Sequence, residues 1–133
     1  EMACYAGFLN VREAAKYMVK RNKGTIIFTG ATASMRGGAN FAAFASAKNG
    51  LRALAQSMAR ELGPKNIHVA HVIIDAAVDT EWIKSIHPEY DKKIKTDGIV
   101  NPSHLAENYL YLYDQPRDAW TFELDLRPWQ ETW

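Results

Sequence analysis

The sequence has few of the features that mark disulfide-stabilised or membrane-spanning proteins. Among its 133 residues there is one cysteine, Cys4, so an internal disulfide and a cysteine-rich metal site are both excluded, and we expect a reducing, cytoplasmic environment. No apolar run approaches the ~20 residues that a membrane-spanning helix needs, and we see no signal-peptide pattern. The net charge is +1, which gives no electrostatic reason to expect nucleic acid or an anionic membrane as a partner.

The composition that remains is that of an ordinary globular domain. Hydrophobic residues make up 47% of the chain and charged residues 23%, and the length fits one domain over residues 1–133. The chain begins without methionine and already inside a helical pattern, with no residue suited to cap that helix. This start predicts that the chain is a portion of a longer protein.

Apolar patterning predicts alternating helices and strands. Residues 24–30, "GTIIFTG", form a short β-branched run between glycines, which is typical of a strand buried on both faces. The glycine–proline pair at 63–64 ends the second helical pattern, and the small, glycine-bearing stretch 31–40 indicates a loop. The predicted helices are 2–21, 41–62 and 102–116, and the predicted strands are 24–30, 67–75 and 119–126.

This alternation is typical of a parallel α/β sheet with right-handed crossovers. Three strands make a thin sheet, so we expect further strands or a partner chain beside it. The segment 76–101 is long for a connection and follows the carboxyl end of a strand, where open α/β sheets bind ligands. We therefore predict that 76–101 is a substrate loop or a lid.

Two local predictions concern the C-terminal third. Ser103 is the expected cap of the third helix. Residues 119–126 alternate strictly, which predicts one apolar face of the last strand, formed by Trp120, Phe122, Leu124 and Leu126, at the edge of the sheet.

Two long stretches carry a family resemblance: "GTIIFTGATAS" and "FAAFASAKNGLRALAQSMARELGPKNIHVAHVIIDAAVDT". With the last helix and strand, they resemble the C-terminal half of a short-chain dehydrogenase/reductase. The resemblance implies half of a Rossmann-like, doubly wound parallel sheet, with NAD or NADP as cofactor and a small carbonyl or alcohol as substrate. The family's N-terminal half binds the dinucleotide through a glycine-rich turn, and this chain has no such motif.

The family's catalytic positions can be carried over residue by residue. The resemblance gives Lys48 the family's lysine position, where that residue lowers the pKa of a tyrosine and holds the nicotinamide ribose. The tyrosine position is Phe44, which has no ionisable group. The serine position falls at Ala31 and the asparagine position at about Ala3. The resemblance therefore implies an impaired or inactive tyrosine-dependent reaction.

Other hydroxyl groups lie near the serine position. Thr32 and Ser34 belong to the same loop as Ala31 and are candidate proton donors, although their hydroxyls are much weaker acids than a phenol and would need a further base. Ser46 is two residues from Lys48 and so lies on a different helical face.

Several candidate residues also have structural interpretations. Phe44 can be a core or interface aromatic, and Lys48 can extend along an apolar face to the surface. By resemblance, Thr80 matches a threonine that contacts the cofactor, but Asp75 and Ala76 replace the proline and glycine before it. Asp75 lies at the carboxyl end of a strand, a position suited to function, although a helix-capping or turn role is equally open.

Metal binding is not expected. His68 and His71 are three residues apart on a strand, so their side chains face opposite sides of the sheet. His87 and His104 stand alone.

We hold two functional hypotheses at this point. The first is an NAD(P)-dependent oxidoreductase of the resembled family, acting on a small-molecule substrate. The second is a non-catalytic module that forms a homodimer or homotetramer through helices 2–21 and 41–62, as the resemblance implies. We also expect Trp129 and Trp133 to pack in a subunit contact.

Overall fold

The computed structural model describes residues 2–132 and confirms the α/β alternation. Glu1 and Trp133 lie outside the described residues, and with them the prediction that Trp133 packs in a subunit contact. The main elements are α1 (Met2–Arg21), β1 (Gly24–Thr29), α2 (Ala42–Leu62), β2 (Ile67–Ile74), α3 (Glu81–Ile86), α4 (Tyr90–Lys93), α5 (Pro102–Asp114) and β3 (Glu123–Leu126).

The three strands form one parallel sheet in the order β1-β2-β3. The register pairs Gly24 with Ile67 at one end of β1 and Thr29 with Val72 at the other. β2 is the central strand, and every residue from Ile67 to Ile73 is buried. Because both of its faces are covered, β2 is apolar except at His68 and His71, as expected for a parallel strand.

Helices cover both faces of the sheet. On one face, α1 and α2 bury a cluster that includes Val11, Leu51 and Ile67. On the other face, α5 packs Leu112, which is completely buried, against Ala70 and Val72. Ile67 and Ala70 are three positions apart on β2, so their side chains point to opposite faces of the sheet. The two clusters therefore follow from the alternation of side chains along a strand.

Glycines allow α1 and α2 to approach each other closely. A Cβ atom at Gly7 would lie 2.6 Å from Cδ1 of Leu51, and one at Gly50 would lie 3.0 Å from the Sγ of Cys4. The first separation is shorter than any normal carbon contact, so a side chain at Gly7 would force the buried Leu51 side chain to move. This packing fixes α2, the helix that carries Lys48, against the sheet.

The last strand is shorter than its sequence pattern predicts. β3 begins at Glu123, because the side chain of Gln115 binds both the backbone N–H and the hydroxyl of Thr121, each at 2.7 Å, and ties this stretch to the end of α5. Phe122 consequently packs against the α1/α2 cluster, whereas Leu124 packs against the α5 cluster. The prediction of a single apolar face from residue 120 to 126 was therefore wrong.

The cap of α5 also differs from the prediction. Asn101, not Ser103, is the N-cap, and its Oδ1 accepts a hydrogen bond of 2.9 Å from the backbone N–H of Ser103. Pro102 then occupies the first helical position, which suits proline because the N–H it lacks would have no helical partner.

Segment 76–101 is an excursion closed at its base. Val78 and Val100 form a parallel bridge, and the segment contains α3 and α4 between them. Within it, the phenol of Tyr90 donates a hydrogen bond of 2.6 Å to Asp79, and this bond raises the pKa of Tyr90 to about 12. The segment is therefore a folded excursion, and its predicted role as a lid or substrate loop stays a prediction.

Candidate functional site

The carboxyl edge of the sheet brings together most of the residues that the sequence pointed to. Thr29 ends β1, Asp75 follows β2 directly, and Arg127 follows β3. Asp75 is held at this edge by its backbone N–H, which donates to the carbonyl oxygen of Leu126 at 2.9 Å. In open α/β sheets this edge is where ligands bind.

Lys48 points inward toward this edge. Its Nζ donates a hydrogen bond of 3.0 Å to the carbonyl oxygen of Thr29. The same ammonium group lies 5.9 Å from the centroid of the Phe44 ring, within the range of a cation–π contact. Partial burial lowers the pKa of Lys48, because desolvation disfavours the charged form. Lys48 is thus partly buried and bound to the end of β1, and whether it contacts a cofactor stays a prediction.

Phe44 is not part of the core. Its side chain is 47% exposed, and it lies near the start of α2, beside Phe41. Further along α2, the predicted apolar stripe does bury Leu51, Ala55 and Leu62. Only the end of the helix nearest the carboxyl edge therefore departs from the predicted burial.

The loop after β1 separates the two candidate hydroxyls. Ser34 is fully buried, and its Oγ accepts a hydrogen bond of 3.0 Å from the backbone N–H of Ala31. Asn49 of α2 anchors the same turn by donating to the carbonyl oxygen of Ala33 at 2.7 Å. Ser34 therefore shapes the turn, whereas Thr32 is only partly buried.

Asp75 is the centre of a buried ionic cluster. Its side chain is 2% exposed, and the hydroxyl of Thr32 donates a hydrogen bond to its Oδ1. Both terminal nitrogens of Arg36 lie 3.3 Å from Oδ2, and an Arg127 nitrogen lies 3.4 Å from the same atom. Two guanidinium groups thus compensate a carboxylate that would be costly to bury alone. Asp75 is neither a helix cap nor part of a simple turn.

A cavity of about 460 Å³ opens beside this cluster. Most of its lining residues are small or apolar, and Thr32 and Arg36 provide the polar atoms of the lining. The lining residues are Ala31, Thr32, Ala33, Arg36, Gly37, Gly38, Phe41, Phe44, Ile74 and Ala76. This is the size and composition of a small-molecule pocket.

Two other predicted positions, Thr80 and Ala3, are not among the residues that line this cavity. Thr80 is the N-cap of α3, where its Oγ1 accepts a hydrogen bond of 3.2 Å from the backbone N–H of Ile83, and it does not line the cavity. Ala3 lies at the start of α1. The structure thus brings Lys48, Phe44 and Ala31 to one edge, together with Thr32 and Asp75.

A second polar network lies behind the site, and the sequence analysis missed it. Arg52 of α2 makes two hydrogen bonds, of 2.7 and 2.8 Å, to the carboxylate of Glu123 in β3. His71 Nδ1 lies 3.0 Å from the same carboxylate, and its ring packs so closely on Gly30 that no side chain fits there. The only sign of this network in the sequence was that charged or titratable residues stand in the strands and in α2 at positions whose neighbours are apolar.

The network shifts the pKa of its members in directions that agree with a neutral histidine. The Arg52 guanidinium lowers the pKa of Glu123. Burial lowers the pKa of His71, and its hydrogen bond to Glu123 opposes this only in part. We therefore interpret His71 as a neutral ring whose Nδ1–H donates to a charged Glu123.

His68 faces the opposite side of the sheet, as predicted. Its ring stacks on Trp120 at a centroid distance of 4.9 Å. A larger cavity of about 680 Å³, which His68 helps to line, lies at the amino end of the strands, away from Lys48 and Asp75. Among residues 2–132, no group of three or more His, Cys, Asp or Glu side chains is placed to hold a metal ion, and no helix is long and apolar enough to cross a membrane.

Comparison with known proteins identifies the fold. The family model described as short chain dehydrogenase matches residues 2–91. The chain belongs to the short-chain dehydrogenase family. A crystal structure of a short-chain dehydrogenase from Rhodopseudomonas palustris is 52% identical and superposes with a TM-score of 0.74, covering 96% of this chain and 49% of that one.

Two further relatives extend the comparison. A 3-oxoacyl-[acyl-carrier-protein] reductase of Mycobacterium avium is 35% identical over 92 residues, which are 69% of this chain and 34% of that enzyme. A 4-hydroxyisoleucine dehydrogenase solved with NADH shares the fold at 24% identity, with a TM-score of 0.77 over 93% of this chain and 54% of that one. The chain thus spans less than half the length of the curated relatives it matches.

Proposed function

We propose that this chain forms the substrate-binding half of an NAD(P)-dependent oxidoreductase that interconverts a small alcohol and a carbonyl compound. The observation that carries the proposal is the position of Lys48: its ammonium group lies at the carboxyl edge of the sheet and 5.9 Å from the ring of Phe44, which lines a cavity of substrate size. Family membership points to the same chemistry. A reducing cytoplasm is part of the proposal, on the ground that Cys4 is the chain's one cysteine.

The residues of this edge fit one half of the cofactor. The ammonium group of Lys48 is suited to the ribose hydroxyls next to the nicotinamide, and Thr80 is the family's candidate for a further cofactor contact. A bound nicotinamide would supply the hydride-transfer chemistry. No glycine-rich strand–turn–helix occurs in residues 2–132, so the pyrophosphate would be held by residues outside this chain. The proposal makes no choice between NAD and NADP.

The proposed enzyme differs from the family's pattern where the proton is handled. Phe44 stands at the tyrosine position, Ala31 at the serine position and about Ala3 at the asparagine position. A phenylalanine can shape an apolar pocket but can neither donate nor accept a proton. We therefore propose that tyrosine-dependent catalysis is impaired in this chain.

The test is nicotinamide-dependent turnover by the longest open reading frame that contains residues 1–133. The probes are 3-hydroxybutyryl-coenzyme A, chosen because a relative is a 3-oxoacyl reductase, and 2-butanol as a small alcohol, each with NAD⁺ and NADP⁺. We expect slow formation of the reduced nicotinamide. Lys48→Ala should lower this rate at least tenfold, whereas Lys95→Ala, which removes an exposed lysine, should leave it unchanged. Absence of turnover with every pair of probe and cofactor would contradict the proposal.

A second candidate function is self-assembly through α1 and α2. Three aromatic side chains of α1 are exposed: Tyr5 by 65%, Phe8 by 43% and Tyr17 by 70%. Tyr5 and Phe8 are three residues apart and share one face of α1, and exposed aromatics on one face are typical of a contact surface. This proposal gives the chain a non-catalytic role as a homodimer or homotetramer.

Sedimentation velocity tests this second function at micromolar concentration. We expect a dimer or tetramer that Phe8→Glu converts to a monomer. The matched control is Tyr111→Glu on α5, where the aromatic is 60% exposed but lies outside the proposed contact. A wild-type monomer, or equal effects of the two substitutions, would refute the assembly proposal.

A further inference from the structure

The pocket contains one hydroxyl that is connected to a buried base. Thr32 lines the cavity, and its hydroxyl donates a hydrogen bond to Oδ1 of Asp75. Asp75 is 1% exposed, so solvent reaches it only through its neighbours. A buried carboxylate behind a hydroxyl is an arrangement that can move a proton.

We propose that Thr32 and Asp75 form the proton-transfer pair of this site, with Thr32 contacting the substrate oxygen and Asp75 accepting the proton. This inference rests on the proposed oxidoreductase function and adds the group that replaces the missing phenol at position 44. It assigns a catalytic role to Thr32 and not to the other hydroxyl of the loop.

The proposed step balances for alcohol oxidation. The hydroxyl proton of the substrate moves to Oγ1 of Thr32 while the proton of Thr32 moves to Oδ1 of Asp75. The C–H bond of the same carbon breaks, and its hydride reduces the oxidised nicotinamide. The products are a carbonyl compound, a reduced nicotinamide and a protonated Asp75, which then returns its proton to solvent. Carbonyl reduction is the reverse.

The neighbouring residues favour Thr32 over Ser34. Ser34 is fully buried, and its oxygen already accepts the Ala31 N–H, so a substrate in the cavity does not reach it. Thr32 lies at the cavity wall.

The two oxygens of the Asp75 carboxylate have different partners. Arg36 contacts Oδ2 with two nitrogens at 3.3 Å, and Arg127 contacts the same oxygen at 3.4 Å. Both contacts use Oδ2, which leaves Oδ1 to the Thr32 hydroxyl. The carboxylate therefore has one oxygen for charge compensation and one for the proton.

The experiment uses the same open reading frame and the same probes as the turnover assay. Thr32→Val keeps the shape of the side chain and removes the hydroxyl, Thr32→Ser restores it, and Thr96→Val makes the same change at an exposed position. We expect Thr32→Val to lower kcat by about 100-fold or more, the usual effect of losing acid–base catalysis. Thr32→Ser should stay within about tenfold of wild type, and Thr96→Val should equal wild type.

Asp75→Asn tests whether the pair acts as a unit. We expect it to lower kcat about as much as Thr32→Val, and the double variant to be no slower than either, because removing either member of a relay stops it. Losses that multiply in the double variant would overturn the relay. The dissociation constant for whichever of NADH and NADPH the wild type binds should be unchanged in Thr32→Val, a readout that is independent of turnover.

The outcomes separate the inference from the function on which it rests. If the wild type turns over and Thr32→Val changes its rate by less than about threefold, the proton-transfer pair is overturned but the proposed function is not. Absence of wild-type turnover overturns the proposed function and the pair together. Independently of activity, a crystal structure that places Thr32 Oγ1 more than about 3.5 Å from Asp75 Oδ1 overturns the pair, since no hydrogen bond spans that distance.

Discussion

Glu123→Gln is the substitution whose effect follows most directly from the observed geometry. The Glu123 carboxylate joins β3 to α2 through two hydrogen bonds to Arg52, and it also accepts from His71. Glutamine has the same size and keeps one acceptor oxygen, so the change removes the charge with little change in packing. The substitution therefore measures what the ionic contact between strand and helix contributes to stability.

The expected magnitude lies between the values for buried and exposed pairs. Breaking a fully buried ion pair costs ~3–5 kcal/mol, whereas an exposed pair contributes ~0–1 kcal/mol. The side chains of Arg52 and Glu123 are 30% and 23% exposed, so we expect a loss of about 2 kcal/mol. With an unfolding entropy of about 2.1 cal/mol/K per residue, this corresponds to a decrease in Tm of about 7 °C for a chain of this length.

Urea unfolding followed by circular dichroism measures this loss. The matched control is Glu13→Gln, because Glu13 also contacts two cations, Arg12 and Lys16, but its side chain is 51% exposed. We expect the control to unfold like the wild type. A Glu123→Gln midpoint equal to that of Glu13→Gln would refute the argument that partial burial gives the Arg52 contact its strength.

Four further predictions follow from the packing and the pKa shifts. Leu112→Ala should cost about 2–5 kcal/mol in urea unfolding, because the side chain is fully buried under the sheet, and a loss below about 1 kcal/mol would contradict the placement of α5. Asn101→Ala should cost about 1 kcal/mol by removing the α5 cap, whereas Asn101→Asp should retain stability. Burial lowers the pKa of His71 in the folded state. The neutral ring therefore contributes stability above the unfolded-state pKa of 6.5, and this contribution is lost as the pH falls below that value. His71→Asn should make the free energy of unfolding less dependent on pH between pH 7 and pH 5. Phe44→Tyr should leave Tm unchanged, because the ring is exposed. It should raise turnover by placing a phenol near Lys48, and unchanged turnover would mean that the phenol is not the only catalytic group missing from the site.

The sequence predicted the elements that depend on local pattern. β2 is buried on both faces and consists mainly of isoleucine, valine and alanine, so it could be recognised without knowing its neighbours. Glycine followed by proline marked the end of α2 near Leu62. The alternation of helices and strands predicted a parallel sheet, and the family resemblance added that it is half of a Rossmann-like, doubly wound sheet.

The errors came from contacts that the apolar pattern of a single segment does not show. β3 starts late because Gln115 competes for the backbone of Thr121, and nothing in the alternation of residues 119–126 indicates this competitor. Phe44 continues the apolar stripe of α2, yet the helix extends past the sheet at that position, and the ring is left at the cavity.

The ionic cluster at Asp75 was beyond prediction for the same reason. Its partners Thr32 and Arg36 lie in the loop after β1, and Arg127 follows β3, so the three meet only when the parallel strands align. A lone carboxylate after a strand indicates a functional position, but its partners are a property of the folded sheet. The partner that we propose as the base for Thr32 was therefore found from the folded structure and not from the sequence.

Calorimetric titration of NADH and NADPH tests the central claim most directly. The titration uses the open reading frame that contains residues 1–133, with Lys48→Ala and the control Lys95→Ala measured in parallel. The account predicts saturable binding of at least one dinucleotide, weakened about tenfold or more by Lys48→Ala, which corresponds to the ~1.4 kcal/mol of a hydrogen bond to a charged group, and unchanged by Lys95→Ala. Absence of binding at millimolar concentration, or equal affinity in wild type and Lys48→Ala, would contradict it.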